Sequence, residues 1–283
     1  MEVTVRTVQG VGAWNEDAVV CKESDRLFGV IDGATSLVPY RGAGGETGGY
    51  LAAQSVAAAC LDERLAGARL SDMLVEANTR LRAEMRDAGV PADVPEALWS
   101  ACAVLVRVGS KWIDYAQLGD CMLAAYYDDG TIRIVTHDQL AHVDDRTKAV
   151  WLEGINAGLA SSAELWTHVR PQIAAGRALA NRPAGYGVLN GDPDCADYVE
   201  YGRIAAANVV SLLLFSDGLY MPKPPGESDK DSAADIASLV REAGLDRYLA
   251  QLTDLENTDP ECTIYPRMKK SDDKTAIWIQ LAP

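Results

Sequence analysis

Residues 28–37 read FGVIDGATSL. The apolar run Phe28-Gly29-Val30-Ile31 has the length and the bounding turn signal of a buried strand. It ends on Asp32-Gly33. That dipeptide turns easily because Gly accepts positive φ and Asp bonds its neighbouring backbone. Taken alone, the stretch is a strand followed by a turn. Other places in the chain repeat the arrangement, and together they give the aspartate a second reading.

Asn15-Glu16-Asp17 lies in a loop just before the apolar run VVCK (19–22). Asp217-Gly218 ends the run VVSLLLF (209–215) after one serine. Asp272-Asp273 precedes KTAIWIQL (274–281). Asp120, in QLGDCML, sits between two further strand-like runs. Each acid stands at the margin of a strand. If those strands are neighbours in packed sheets, the acids converge, repel one another, and have raised pKa values. A bound cation removes that conflict. Oxygen donors select hard ions such as Mg²⁺ or Mn²⁺, and no His or Cys accompanies the four principal segments, which argues against zinc.

The elements around these acids follow from periodicity. VTVRTVQ alternates, and VVCK and LFGVI are short apolar runs, so the first 35 residues read as β-structure. After a glycine-rich loop, RGAGGETGG (41–49), come two helical segments. The first spans 50–66 with Gly67 as its stop; the second starts near Leu70, with Ser71 or Asp72 as its cap and Gly89 as its stop. Residues 97–136 return to strands broken by Gly-Ser, Gly-Asp and Asp-Asp-Gly. Residues 140–205 are the least regular, with one helical piece around 163–180. Two acidic helices, about 231–243 and 246–256, follow the strand 209–215, and 274–281 closes the chain as a strand. The order lacks the alternation of a doubly wound sheet. No linker or repeat is evident, so the expectation is one domain over 1–283 with an irregular insert at about 140–205.

Bulk properties narrow the function. The formal charge of −15 disfavours nucleic acid and anionic membranes as partners of the whole chain. No apolar run reaches the ~18 residues of a membrane span. MEVTVRTVQG has no basic start or apolar centre of a signal peptide. The six cysteines form no CxxC pair and sit mostly in apolar surroundings, which fits reduced thiols in a cytoplasm. RGAGGETGG lacks the Gly-Lys-Ser/Thr ending of a P-loop and reads as a flexible entry to a helix.

The ordered set NED (15–17), strand-DG (28–33), LGD (118–120), LLLFSDGLY (212–220) and SDDKTAI (271–277) resembles the metal-dependent protein serine/threonine phosphatases (PPM, type 2C). The resemblance covers essentially the whole chain. It implies an α+β, four-layer α-β-β-α sandwich of two mainly antiparallel sheets flanked by helix pairs. It further implies two Mn²⁺ or Mg²⁺ ions, bridged by Asp32, with the Gly33 carbonyl on one and Asp217 and Asp272 on the other. Glu16 and Asp17 would bind a metal directly or through its waters, and Asp120 would help hold a third ion, as in bacterial-type members. Asp273 would take a place where the family usually has Asn. The implied activity is hydrolysis of phosphoserine and phosphothreonine monoesters on protein substrates by metal-activated water, with Asp32, Asp217 and Asp272 as its catalytic acids.

Two departures stand out. Family members often carry an Arg four residues before the Glu of the first motif, where it grips the phosphate; here that place is Gly12. Arg6 and Arg41 are the sequence candidates for that role. Members also often have His or Met after the Asp-Gly, where this chain has Ala34-Thr35-Ser36. Thr35 and Ser36 then have two readings, as donors to a metal water or as caps of the turn. The departures motivate two alternatives to a protein phosphatase: a catalytically weak, phosphatase-like regulatory or binding module, and a small-molecule phosphatase.

Overall fold

The computed structural model describes residues 1–227 and 229–281. Among the described residues, ten strands form two five-stranded sheets, antiparallel throughout. The strands are β1 (Glu2–Val8), β2 (Asp17–Lys22), β3 (Leu27–Ala34), β4 (Ser100–Val108), β5 (Trp112–Leu118), β6 (Met122–Tyr127), β7 (Ile132–Ile134), β8 (Glu200–Ala205), β9 (Val209–Phe215) and β10 (Lys274–Gln280). One sheet runs β1-β10-β9-β6-β7 and the other β2-β3-β4-β5-β8. The helices are α1 (Gly48–Leu61), α2 (Leu70–Asp87), α3 (Ala141–Asn156), α4 (Ser162–Arg177), α5 (Ser232–Ala243) and α6 (Leu245–Thr258).

The apolar runs are continuous because the central strands are covered on both faces. In β4, Cys102, Val104 and Val106 point into the layer between the sheets, while Ala101, Ala103 and Leu105 meet α1 and α2. In β9, Leu212 and Leu214 point inward, while Leu213 and Phe215 meet α5 and α6. This is the expected α-β-β-α stack. Fully burying each such Leu, Val or Phe contributes about 1.5–3 kcal/mol. Ala52, Ala53 and Ala57, with Val56, fill the α1 face, so that this helix lies close on its sheet.

Several boundaries differ from the sequence reading. α1 stops at Leu61, and a separate 3-10 turn at Glu63–Leu65 carries the chain to Gly67. α2 has Arg69 at its cap position with no side-chain bond, so neither Ser71 nor Asp72 caps it. Asp72 instead places a negative charge in the first turn, where the helix dipole favours it. Gly89 does end α2, at φ +75°. The stretch 140–205 contains two packed helices and a strand. α3 and α4 share a small core of Trp151, Leu165, Val169 and Cys262, and β8 pairs with β5. Among the described residues, no helix is long and apolar enough to cross a membrane.

Candidate metal centre

The antiparallel register of β2 and β3 sets Asp17 directly opposite Asp32. The second sheet delivers its acids from two adjacent strand ends, Asp217 after β9 and Asp272 before β10. The strand ends are tied together: Ser216 N–H donates to the Thr275 carbonyl at 3.0 Å, and Thr275 N–H to Ser216 Oγ at 3.0 Å. Ser216 Oγ then donates across the sheets to Asp17 Oδ2 at 2.9 Å. Asp120 sits where the chain leaves β5 in one sheet and enters β6 in the other. Gly119 takes that corner at φ +94°, a left-handed conformation open mainly to glycine. The Gln117 amide fixes the corner by donating to the carbonyls of Gly119 (3.0 Å), Cys121 (3.1 Å) and His137 (2.7 Å).

Asp32, Gly33, Asp120, Asp217 and Asp272 line one cavity of about 170 Å³. Lys269 and Arg177 are its cationic members. A neighbouring cleft of about 360 Å³ shares Asp144, Asp217, Lys269 and Asp272 with it. Gly33 is required by contact: a Cβ there would lie 2.1 Å from the Gly49 carbonyl oxygen and 2.7 Å from that of Glu16.

Electrostatics show the cost of this gathering. Burial lifts the Asp17 carboxyl to about 7; the hydroxyls of Thr275 and Ser216 oppose the shift, and Asp272 and Asp273 add to it. Burial, and then the charges of Asp17, Asp217, Asp120 and Asp272, push Asp32 well above the usual carboxylate range. Asp120 is raised by burial and by Asp217, Asp138 and Asp144. Asp217 is raised by burial and by Asp272. Asp17 Oδ1 and Asp120 Oδ1 are buried with no hydrogen-bond partner. Buried carboxylate oxygens left unpaired are strongly unfavourable unless a cation meets them. The donor set therefore fits a hard divalent ion.

Asp32, Asp120 and Cys121 each offer a ligand atom, all within 4.8 Å of one another. Cys121 follows Asp120 directly and was not singled out by its sequence context. Burial, with Asp32 and Asp120 beside it, pushes its thiol well above the ordinary value. Asp144 of α3 is a second residue the sequence reading passed over. Burial and the Asp217 charge raise it to about 7.

Glu16 is held differently from the other acids. Its carboxylate accepts from Thr35 Oγ1 at 2.6 Å and from Thr47 Oγ1. Thr47 is also the N-cap of α1, accepting from Tyr50 N–H at 3.2 Å. Thr35 thus lines the cavity and orients an acid there, with its hydroxyl given to Glu16. Asp273 accepts backbone N–H groups of Gly10 and Glu16, each at 2.7 Å, and so clamps the first motif to the last.

Neither arginine proposed from sequence joins the acids. Arg6 lies on β1 and forms a two-bond pair with Asp246 of α6, at 2.5 and 2.9 Å. Val3 and Val5 face the layer between the sheets, so strand alternation turns Arg6 outward. Arg41 is exposed and donates to its neighbour's carbonyl, Tyr40, at 2.8 Å. Asp138, beside His137, does approach the site: its Oδ1 accepts from Leu140 and Ala141 N–H at 2.9 Å, and its Oδ2 from the Tyr220 hydroxyl at 3.0 Å.

Residues 6–263 match the sequence model of the family described as Protein phosphatase 2C. That match ends before Asp272, so this acid joins the set on geometry. The fold is similar to solved structures over the whole chain. A bacterial serine phosphatase is 18% identical, with 100% of this chain and 98% of that one covered and a TM-score of 0.57. The serine/threonine phosphatase Stp1 of Staphylococcus aureus is 17% identical, with 100% and 95% covered and a TM-score of 0.57. The catalytic domain of the phosphatase PstP, in complex with 2 manganese ions, is 18% identical, with 100% and 98% covered and a TM-score of 0.57. No curated protein matches the chain.

Proposed function

The chain belongs to the protein phosphatase 2C family, and we propose that its cavity of acids holds Mn²⁺ or Mg²⁺ and hydrolyses phosphoserine and phosphothreonine monoesters on protein substrates. The protein is a metal-dependent serine/threonine phosphatase. The observation that carries the site assignment is the convergence of Asp17, Asp32, Asp120, Asp217 and Asp272, with two buried oxygens lacking any other partner.

In this reading Asp32, the Gly33 carbonyl, Asp217 and Asp272 would hold two ions. Asp120 would help hold a third, and Asp17 and Glu16 would act directly or through water. Bound ions supply Lewis acidity toward the phosphoryl oxygens and a water that ionises near neutral pH. The chain's own residues fix the ligands beforehand, which lowers the reorganisation needed at reaction. Ser216 sets the Asp17 carboxylate, Thr35 and Thr47 set Glu16, and Asp273 holds the Glu16 backbone. Val143, Val188 and Leu140 form apolar wall, which limits water around the charges. The whole chain acts as one catalytic unit, and its six free cysteines suit a reducing cytoplasm.

Hydrolysis of p-nitrophenyl phosphate tests the assignment. Activity should require Mn²⁺ or Mg²⁺, vanish in EDTA, and fall at least about a hundredfold in Asp32→Ala and Asp217→Ala. Activity surviving EDTA or both substitutions refutes it. Mn²⁺ binding by calorimetry without turnover favours the regulatory-module alternative, and a preference for small esters over phosphopeptides favours the small-molecule one.

A further inference from the structure

The phosphatase reading leaves one part unassigned, a cation for the substrate phosphoryl group. We propose that Lys269 supplies it, gripping the phosphate from a loop at the far end of the chain; the proposal rests on that reading. A phosphate monoester carries up to two negative charges, and carboxylates alone would repel it. Lysine binds phosphate as a compact point charge.

The basic residues around the site narrow to Lys269. Gly12 occupies the place of the family's arginine. Arg6 is committed to Asp246 and Arg41 points to solvent. Lys274 is 1% exposed and paired with Glu256, and Lys148 is paired with Asp229. Arg177 lines the cavity, donating to Ser100 Oγ at 2.7 Å and the Thr35 carbonyl at 3.1 Å, but does not line the adjoining cleft.

Lys269 has the right placement. It lines both the cavity of acids and the adjoining cleft, so it stands where one opens into the other. Its Nζ lies 2.7 Å from Asp272 Oδ1, which puts the ammonium alongside a ligand acid. Its side chain keeps 32% of its surface exposed, so the residue is not sealed from solvent.

The loop that presents Lys269 is braced. Arg267, two residues before it, donates to the Asp259 carboxylate at 2.8 Å and to the carbonyls of Asp259 (2.6 Å), Tyr265 (2.9 Å) and Lys270 (3.2 Å). After it, Lys274 donates to Ser271 Oγ at 2.7 Å and the Asp272 carbonyl at 2.9 Å. The position of Lys269 is thus set by the fold, as a specific phosphate contact requires.

Lys269→Met and Lys269→Arg, loaded with Mn²⁺, test the assignment by three measurements: inorganic phosphate affinity by calorimetry, Mn²⁺ affinity by calorimetry, and p-nitrophenyl phosphate kinetics. In Lys269→Met, phosphate affinity should fall about tenfold or more. KM should rise in parallel, and Mn²⁺ should bind as tightly or more tightly, since Asp272 loses a competing cation. Lys269→Arg should recover phosphate affinity to within about threefold of the original. Unchanged phosphate affinity in Lys269→Met overturns the proposal. A loss that tracks weakened Mn²⁺ binding overturns it as well, because it marks a role in holding Asp272. Absence of Mn²⁺-dependent hydrolysis in the unmodified protein refutes the phosphatase reading instead, and the phosphate calorimetry still decides the role of Lys269.

Discussion

Stripped of divalent ions, this protein should become more stable on acidification from pH 8 to pH 5. The folded state holds the Asp17 carboxyl at about 7, whereas an aspartate in an unfolded chain titrates near 3.9. Between those values the folded chain keeps a proton that the unfolded chain has lost. Stability is therefore full below about pH 4, is lost as pH rises through that window, and stays low above about pH 7. Three pK units at about 1.4 kcal/mol each give a deficit of roughly 4 kcal/mol at high pH. Of this, about 2–3 kcal/mol returns between pH 8 and pH 5. Asp144, also raised to about 7, acts in the same direction. Acids held below their ordinary range, such as Asp62 beside Arg64 and Arg80, lose their contribution only as pH falls below about 4, so they leave this window untouched. Urea unfolding in EDTA at pH 5, 6, 7 and 8 measures the slope. In saturating Mn²⁺ the carboxylates are held ionised, and the slope should flatten or reverse. Asp17→Asn, which keeps an oxygen for the Ser216 hydroxyl, should reduce the EDTA slope by its share. An ion-free protein equally or less stable at pH 5 refutes the reasoning, as does an unchanged slope in Asp17→Asn.

Two further substitutions test the supports of the site. Gly33→Ala places a methyl 2.1 Å from the Gly49 carbonyl oxygen; because the obstacle is backbone, the urea midpoint should drop by the equivalent of about 1–3 kcal/mol and Mn²⁺ affinity should weaken with it. Thr47→Ala removes both the α1 cap and one donor to Glu16, a loss of about 2–3 kcal/mol in chemical denaturation. Thr47→Ser should restore nearly all of it, and equal stabilities for the two variants count against the shared role.

Much of this architecture is legible in the residues. The central strands announce themselves as apolar runs because both faces are covered, and the acids mark their ends. Pairing is less legible: nothing local in VTVRTVQ says that its neighbour is the strand at 274–280. α3 escapes notice because its inward stripe, Val143, Thr147, Trp151 and Gly154, mixes polar and small residues into an apolar role. β8 buries only Ile204 and carries Gly202, so it has little strand signal. For Arg6 the signal was present, since Val3 and Val5 on one face of β1 assign Arg6 to the other. For Lys269 there was none: its place depends on how the loop after α6 is braced, and loop geometry leaves no periodic trace in sequence.

The pairing of β1 with β10 has a consequence for how the molecule comes into being. In its sheet β1 is an edge strand whose one neighbour is β10. During synthesis, residues 2–8 emerge long before residues 274–280, with which they pair. The same delay separates the acids, because Asp17 and Asp32 are made long before Asp272. So distant a closure slows folding and leaves an unpaired strand edge exposed in the meantime. It also means that a nascent chain carrying every element up to α6 still lacks one wall of its acidic cavity.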